Sequence, residues 1–120
     1  MCLSRHLYQI PISNIEMSMA AADKELYSGL IRLHILYHAA REPIFGLSII
    51  QELARHGYKL SAGTLYPLLQ DLERNGYLRS SQQLEEGRIR RVYRATPEGR
   101  RALQVGKQRV KELFGELFED

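Results

Sequence analysis

Three groups of side chains in this chain have types and spacing that could do chemistry. The first is a run of cations. Between Gly87 and Lys111 stand Arg88, Arg90, Arg91, Arg94, Arg100, Arg101, Lys107, Arg109 and Lys111 against Glu98 alone, a local charge of +8 in a chain whose formal net charge is +3. The remainder is net acidic. So uneven a distribution suits a polyanionic partner, because each Lys or Arg that neutralises a phosphate releases a condensed counterion.

The second group is Ser61, Ala62, Gly63, Thr64, Tyr66 and Pro67, followed by Gln70 and Arg74. If these residues open a helix, its first amides and positive dipole end suit a phosphate, and Gly63 permits close approach. The Tyr66 phenol could donate to a phosphate, Gln70 could pair with adenine and Arg74 with guanine. Bland alternatives exist: Tyr66 half-buried beneath a hairpin, Ser61 acting only as a cap, and Arg74 solvated or on a phosphate.

The third group is His34 and His38, four residues apart, which could share a metal with His56 approaching from elsewhere. No carboxylate or thiolate has the spacing to complete such a site, and two histidines at this interval arise often by chance. Neither a metal nor another cofactor is expected. Glu85-Glu86 lies in a turn with no nucleophile or Gly-rich phosphate loop nearby, so catalysis has no supporting constellation and an enzyme is not expected. Cys2 is the single cysteine, which excludes an internal disulfide framework and is consistent with a reducing cytoplasm. No apolar run is long enough to span a membrane, and no secretory signal pattern is found at the N-terminus.

These groups need elements to position them. At 120 residues, 44% apolar and 26% charged, the chain has the balance of one soluble globular domain. Residues 1–22 have no sustained period and are expected to be an extension, flexible or partly ordered at a dimer interface. From Asp23, a candidate N-cap, a helix is predicted with Leu26, Leu30, Leu33, Leu36, Tyr37 and Ala40 as its apolar stripe, ending at Glu42-Pro43. A second helix is predicted from about Phe45 to His56, with Leu47, Ile50, Leu53 and Ala54 as its stripe and Gly57 as its stop. Only Gly57 to Leu60 separate it from a third helix, capped by Ser61 and running to Asn75, so the two turn sharply as in a helix-turn-helix. Leu65, Leu68, Leu69 and Leu72 form its core face, with Pro67 placed in the first turns and Gly76 at the end.

Tyr77 to Leu84 and Arg88 to Ala95 read as two strands joined at Glu85-Glu86-Gly87, with Ile89, Tyr93 and Ala95 packing and Arg88, Arg90 and Arg94 on the charged face. Thr96-Pro97-Glu98 starts a last helix, in which Leu103, Gly106, Val110, Leu113 and Leu117 recur at steps of 3, 4, 3 and 4. Phe114 and Phe118 widen that seam, and Leu26 and Leu30 of the first helix are expected to join it. So much apolar surface predicts packing against a second copy of the chain, with Gly106 allowing a close approach.

Three helices, a basic hairpin and a long last helix make a mainly α (α+β) winged helix-turn-helix with a two-stranded wing, spanning residues 23–96 before a dimerisation helix at 97–120. The stretch Ser61-Ala62-Gly63-Thr64-Leu65-Tyr66-Pro67-Leu68-Leu69, continuing through Leu72-Glu73 to Gly76-Tyr77-Leu78, closely resembles the PadR-like transcriptional regulators. Phe45-Gly46-Leu47-Ser48-Ile49 is similar to the family's second-helix start, Gly87-Arg88 with Arg91-Val92-Tyr93 to its wing, and Ala95-Thr96-Pro97-Glu98-Gly99 to the opening of its last helix. The likeness covers residues 26 to 103 or so, with Ala95 where many members carry Leu. It implies a bacterial homodimer on double-stranded operator DNA of two-fold symmetry, usually a repressor, and the short form with a single C-terminal helix.

The function expected is therefore sequence-specific DNA binding, with helix 61–75 in the major groove and the wing at 84–91, through Arg88, Arg90 and Arg91, on the backbone or minor groove. A small-molecule effector could act by changing the spacing of the two heads; Tyr27, Tyr37 and Phe114 could line an apolar pocket for it. Two rivals remain: a winged helix that binds protein instead of DNA, and a metal-responsive DNA-binding sensor using His34 and His38.

Overall fold

The computed structural model of the protein describes residues 21–119. Expectations for residues 1–20 lie outside the described residues. The elements are α1 (Ala21–Leu26), α2 (Ser28–Arg41), β1 (Ile44–Phe45), α3 (Gly46–Arg55), α4 (Ala62–Arg74), β2 (Leu78–Glu85), β3 (Arg88–Ala95) and α5 (Pro97–Leu117). Three helices and a hairpin form one core, and α5 leaves it along α2.

The first helix is broken where one continuous element from Asp23 is predicted. Asp23 lies inside α1, and Tyr27, with φ −98° and ψ 11°, is the N-cap of α2. The break precedes Ser28 and Gly29, both weak helix formers. The face buried in α2 matches the predicted one in part: Leu36 enters the core with Leu33 and Ala40 packed beside it, but Ile31, Ile35 and Ala39 also enter it, while Leu26, Leu30 and Tyr37 remain exposed. The helix is apolar on two sides, so a single stripe could not be assigned from periodicity. One side seals the core and the other faces α5.

In α3 the buried stripe is Gly46, Ile49 and Leu53, and Leu47, predicted to pack, is exposed. The helix starts one residue later than expected because Ser48 holds its N-terminus. The Phe45 amide donates to Ser48 Oγ at 3.1 Å, and Ser48 Oγ donates back to the Phe45 carbonyl at 2.9 Å. Gly57, at φ +89°, occupies the left-handed region that ends a helix sharply.

Helix α4 follows the predicted pattern. Ser61 is its N-cap and accepts from the Thr64 amide at 3.2 Å, a contact worth about 1 kcal/mol. Leu65, Leu69 and Leu72 are buried and Leu68 packs beside them, each fully buried leucine contributing about 1.5–3 kcal/mol. Pro67 falls inside the helix, where it removes the amide that would bond the Gly63 carbonyl.

The sheet has three strands in the order β1-β3-β2, all antiparallel, where the sequence pattern gave only the hairpin. The added strand β1 is two residues long, pairing Ile44 with Tyr93 and Phe45 with Val92. It changes which wing residues are covered. Tyr93 and Val92 are both buried although they point to opposite faces, whereas Ile89, predicted to pack, is 69% exposed beside Leu84 at 75%. The outer half of the hairpin projects past the core, so alternation there no longer marks burial. Glu86 and Gly87, at φ 51° and 77°, form the two-residue turn at its tip.

Thr96 caps α5 by accepting from the Gly99 amide at 3.0 Å, with Pro97 at the first helical position. A Cβ on Gly99 would collide with the Tyr77 carbonyl oxygen, so this glycine lets α5 start directly against the backbone that leads into β2.

Candidate nucleic-acid interface

The exposed face of α4 gathers the predicted polar residues. Ser61, Ala62, Gly63, Tyr66, Pro67, Gln70 and Arg74 are all exposed, and Thr64 is half-buried under the Ser61 cap. Gly63 has no intramolecular reason to be glycine: a Cβ there would meet nothing nearer than Ser61 Oγ at 3.8 Å. The space in front of it is open, at the end of the helix where amide hydrogens carry the positive dipole.

Tyr66 is 41% exposed, and its ring reaches across to the start of α3. A Cβ on Gly46 would come within 2.3 Å of Tyr66 Oη, so the phenol sits over the backbone of Gly46. Gly46, which stands in the stretch that resembles the family's second-helix start, seats this tyrosine. The phenol oxygen thus lies against the start of α3, so the ring packs between α4 and α3 while 41% of the residue stays exposed. Arg74 is engaged locally, its Nη1 donating to Asp71 Oδ1 at 2.8 Å.

The wing is fastened to this helix by a hydrogen-bonded chain. The Ser80 amide and hydroxyl both donate to Glu73 Oε2, at 3.0 and 2.7 Å, and Arg91 Nη1 donates to Ser80 Oγ at 3.0 Å. Arg91 therefore braces the hairpin against α4, a role not visible in the spacing of the residues. Beneath it, burial pushes the Tyr93 phenol above its usual range, with the Arg91 charge pulling the other way. Arg90 lies over the Phe45 ring, 5.4 Å from its centroid, and Arg88 stands beside the tip turn.

The +8 run does not form one surface. Its helical part is occupied differently: Arg100 Nη1 donates to the Ala40 carbonyl at 2.9 Å, closing the C-terminal end of α2, and Arg101 pairs with Glu98 at 2.8 Å. Only Arg88, Arg90, Arg91 and Arg94 belong to the wing, so the basic surface beside α4 is smaller than the sequence count implies.

On the far side, α2 and α5 enclose an open groove of about 520 Å³. Leu30, Leu33, Tyr37, Leu103, Val110 and Phe114 line it, with Lys107 and Lys111 at its rim. Tyr37 and Phe114 were predicted to line such a pocket; Tyr27 is not among its lining residues. Leu103 is buried within the chain, and a Cβ on Gly106 would meet Leu33 Cδ2 at 2.5 Å, so Gly106 admits the chain's own α2. Beyond it Val110, Leu113, Phe114 and Leu117 are 42%, 49%, 48% and 65% exposed, and the Phe114 and Phe118 rings meet at a tilt of 44° with centroids 4.7 Å apart.

One wall of the groove carries His34, His38 and His56, whose ligating nitrogens lie within 4.8 Å of one another. Glu52, on α3, joins them at 3.3 Å from His56 Nε2 and 3.9 Å from His38 Nε2. This corrects the expectation that no carboxylate is suitably placed: Glu52 is remote from His34 and His38 in sequence and comes to them through helix packing. Burial lowers the His34 pKa below its usual value, helped by the charges of His56 and His38 and opposed by Glu52.

Residues 35–105 match the transcriptional regulator PadR-like family. The transcriptional regulator Rv3488 of Mycobacterium tuberculosis is 50% identical over 95 residues, which cover 79% of this chain and 89% of that protein. A PadR family transcriptional regulator from Eggerthella lenta, solved by crystallography, superposes with a TM-score of 0.67 at 36% identity, covering 79% of this chain and 87% of that one. A PadR-like transcriptional regulator from Bacillus cereus gives a TM-score of 0.70 at 25% identity over 80% of this chain and 98% of its own. The chain belongs to the PadR-like family of transcriptional regulators. Among the described residues no helix is long and apolar enough to cross a membrane.

Proposed function

We propose that this PadR-like regulator is a non-enzymatic repressor acting in the cytoplasm, which binds a palindromic operator in double-stranded DNA as a homodimer. Helix α4 enters the major groove by its N-terminal turns, with Gln70 reading bases and Ser61, Gly63, Thr64 and Tyr66 on phosphates. The wing, with Arg88 and Arg90 foremost, lies on the backbone or in the minor groove. The observation that carries this reading is the joining of two surfaces: an open, polar α4 face tied through Glu73, Ser80 and Arg91 to an arginine-bearing hairpin.

The homodimer is supported by the exposed apolar seam of α5, from Val110 through Leu117. Two such seams in contact would set two α4 helices at a fixed separation, and successive major grooves on one face of the duplex are about 34 Å apart. An effector in the α2–α5 groove would act by altering that separation. Fluorescence anisotropy of labelled duplex DNA across a range of salt concentrations tests the reading. Log affinity is expected to fall linearly with log salt. Absence of saturable, salt-dependent binding would instead favour a winged helix that meets a protein partner.

A further inference from the structure

We propose that His34, His38, His56 and Glu52 form a binding site for one divalent transition-metal ion of the zinc class, shared between α2 and α3. His34 and His38 stand four residues apart on α2, and Glu52 and His56 stand four apart at the end of α3. Each pair therefore projects from one face of its helix, and the two faces meet. Ligands presented in this way by facing helices are how bundles build metal sites.

The donor set decides the class of ion. Three imidazoles and one carboxylate suit zinc and its first-row neighbours, whereas magnesium and calcium take oxygen ligands. In a tetrahedral zinc site with bonds of about 2.1 Å, donor atoms lie roughly 3.4 Å apart. Glu52 and His56 already stand at 3.3 Å, and Glu52 and His38 at 3.9 Å. The widest separation among the imidazole nitrogens, within 4.8 Å, closes by turning rings about their own bonds. The rings of His34 and His56, stacked at 4.8 Å between centroids, must part edgewise to do so, and Tyr58 at 5.4 Å from His34 bounds that movement.

The same geometry explains why three imidazoles are gathered here. With a single carboxylate beside them, three protonated rings would repel, and three neutral rings present lone pairs toward one point. A divalent ion resolves both. The bound ion would also clamp α2 to α3, the helix on which α4 packs.

Zinc titrated into metal-free full-length protein by calorimetry should bind with a stoichiometry of one per chain and raise the melting temperature. Cobalt in its place should give the intense visible bands of a tetrahedral site. His38→Gln and, separately, Glu52→Gln should each weaken zinc binding at least about tenfold and abolish the cobalt bands. His56→Gln serves as a third variant, since His56 lies exposed at a helix end and its loss leaves the core intact. Magnesium should not compete. Replacing Cys2 by Ser and His6 by Gln should leave the binding unchanged. The proposal is overturned if the natural sequence binds no zinc stoichiometrically. It is equally overturned if these three variants bind as tightly as the parent, or if the Cys2 and His6 replacements remove the binding.

Discussion

The two exposed surfaces of this molecule are built in opposite ways. On the α4 and wing side what faces outward is mainly polar or cationic, apart from Leu84 and Ile89 near the hairpin tip, and is held in place by Ser61, Gly46, Ser80 and Glu73. On the α5 side five large apolar residues, Val105, Val110, Leu113, Phe114 and Leu117, are exposed. On the proposed reading the first surface is complete in one chain and meets a polyanion. On the same reading the second is completed by a second copy, since large exposed apolar patches mark interaction surfaces. The contrast separates recognition from assembly and lets each be broken without the other.

The change expected to have the largest effect breaks both at once. Gly99→Ala would drive a Cβ into the Tyr77 carbonyl, a backbone atom that cannot yield, so α5 must shift from the hairpin. Chemical denaturation should show a loss of about 1–3 kcal/mol or more, and DNA binding should fall with it. A fully stable variant would mean that α5 is not anchored at Tyr77.

Next comes the assembly side alone. Leu113→Asp with Leu117→Asp should halve the mass seen by sedimentation and lower operator affinity by about 10²-fold, because two linked heads bind far better than one. The fold itself should survive, since both residues are exposed. Unchanged mass would place the dimer seam elsewhere.

On the recognition side, Arg88→Ala with Arg90→Ala should weaken binding to all duplexes and reduce the salt slope by about 1 per arginine, with the sedimentation behaviour intact. A preserved slope would show that the wing does not touch phosphate. The smallest effect tests Gly63. Because nothing in the chain opposes a methyl group there, Gly63→Ala should stabilise folding by up to about 1 kcal/mol while weakening DNA binding. Opposite signs in the two measurements would mark Gly63 as kept for a partner; tighter DNA binding would contradict that.

How much of this was legible in the sequence depended on whether a feature was local. The cap at Ser61, the core leucines of α4, the hairpin turn at Glu86-Gly87 and the Thr96-Pro97 start each depend on residues close in the chain, and the structure has them where the pattern places them. The face of α2 was judged only in part, because Leu26, Leu30 and Tyr37 make as good a stripe as Ile31, Ile35 and Ala39. Only the packing partners distinguish the two. Strand β1 was missed because two residues carry no period, yet it pairs with Val92 and Tyr93, both of them buried. The Glu73, Ser80 and Arg91 chain, the seat of Tyr66 on Gly46 and the approach of Glu52 to three histidines join residues from separate elements. No spacing rule reaches them. The family resemblance supplied the fold but not these contacts, and the charge count overstated the wing because Arg100 and Arg101 are spent on α2 and Glu98.

The central claim is that two copies of α4, held apart by α5, read a two-fold symmetric site. Selection of bound duplexes from a random pool tests it most directly. An enriched palindrome with half-site centres about 10 base pairs apart, lost in the Leu113 and Leu117 variant, is the expected result. Enrichment of a single unrepeated half-site, or no enrichment at all, would contradict it.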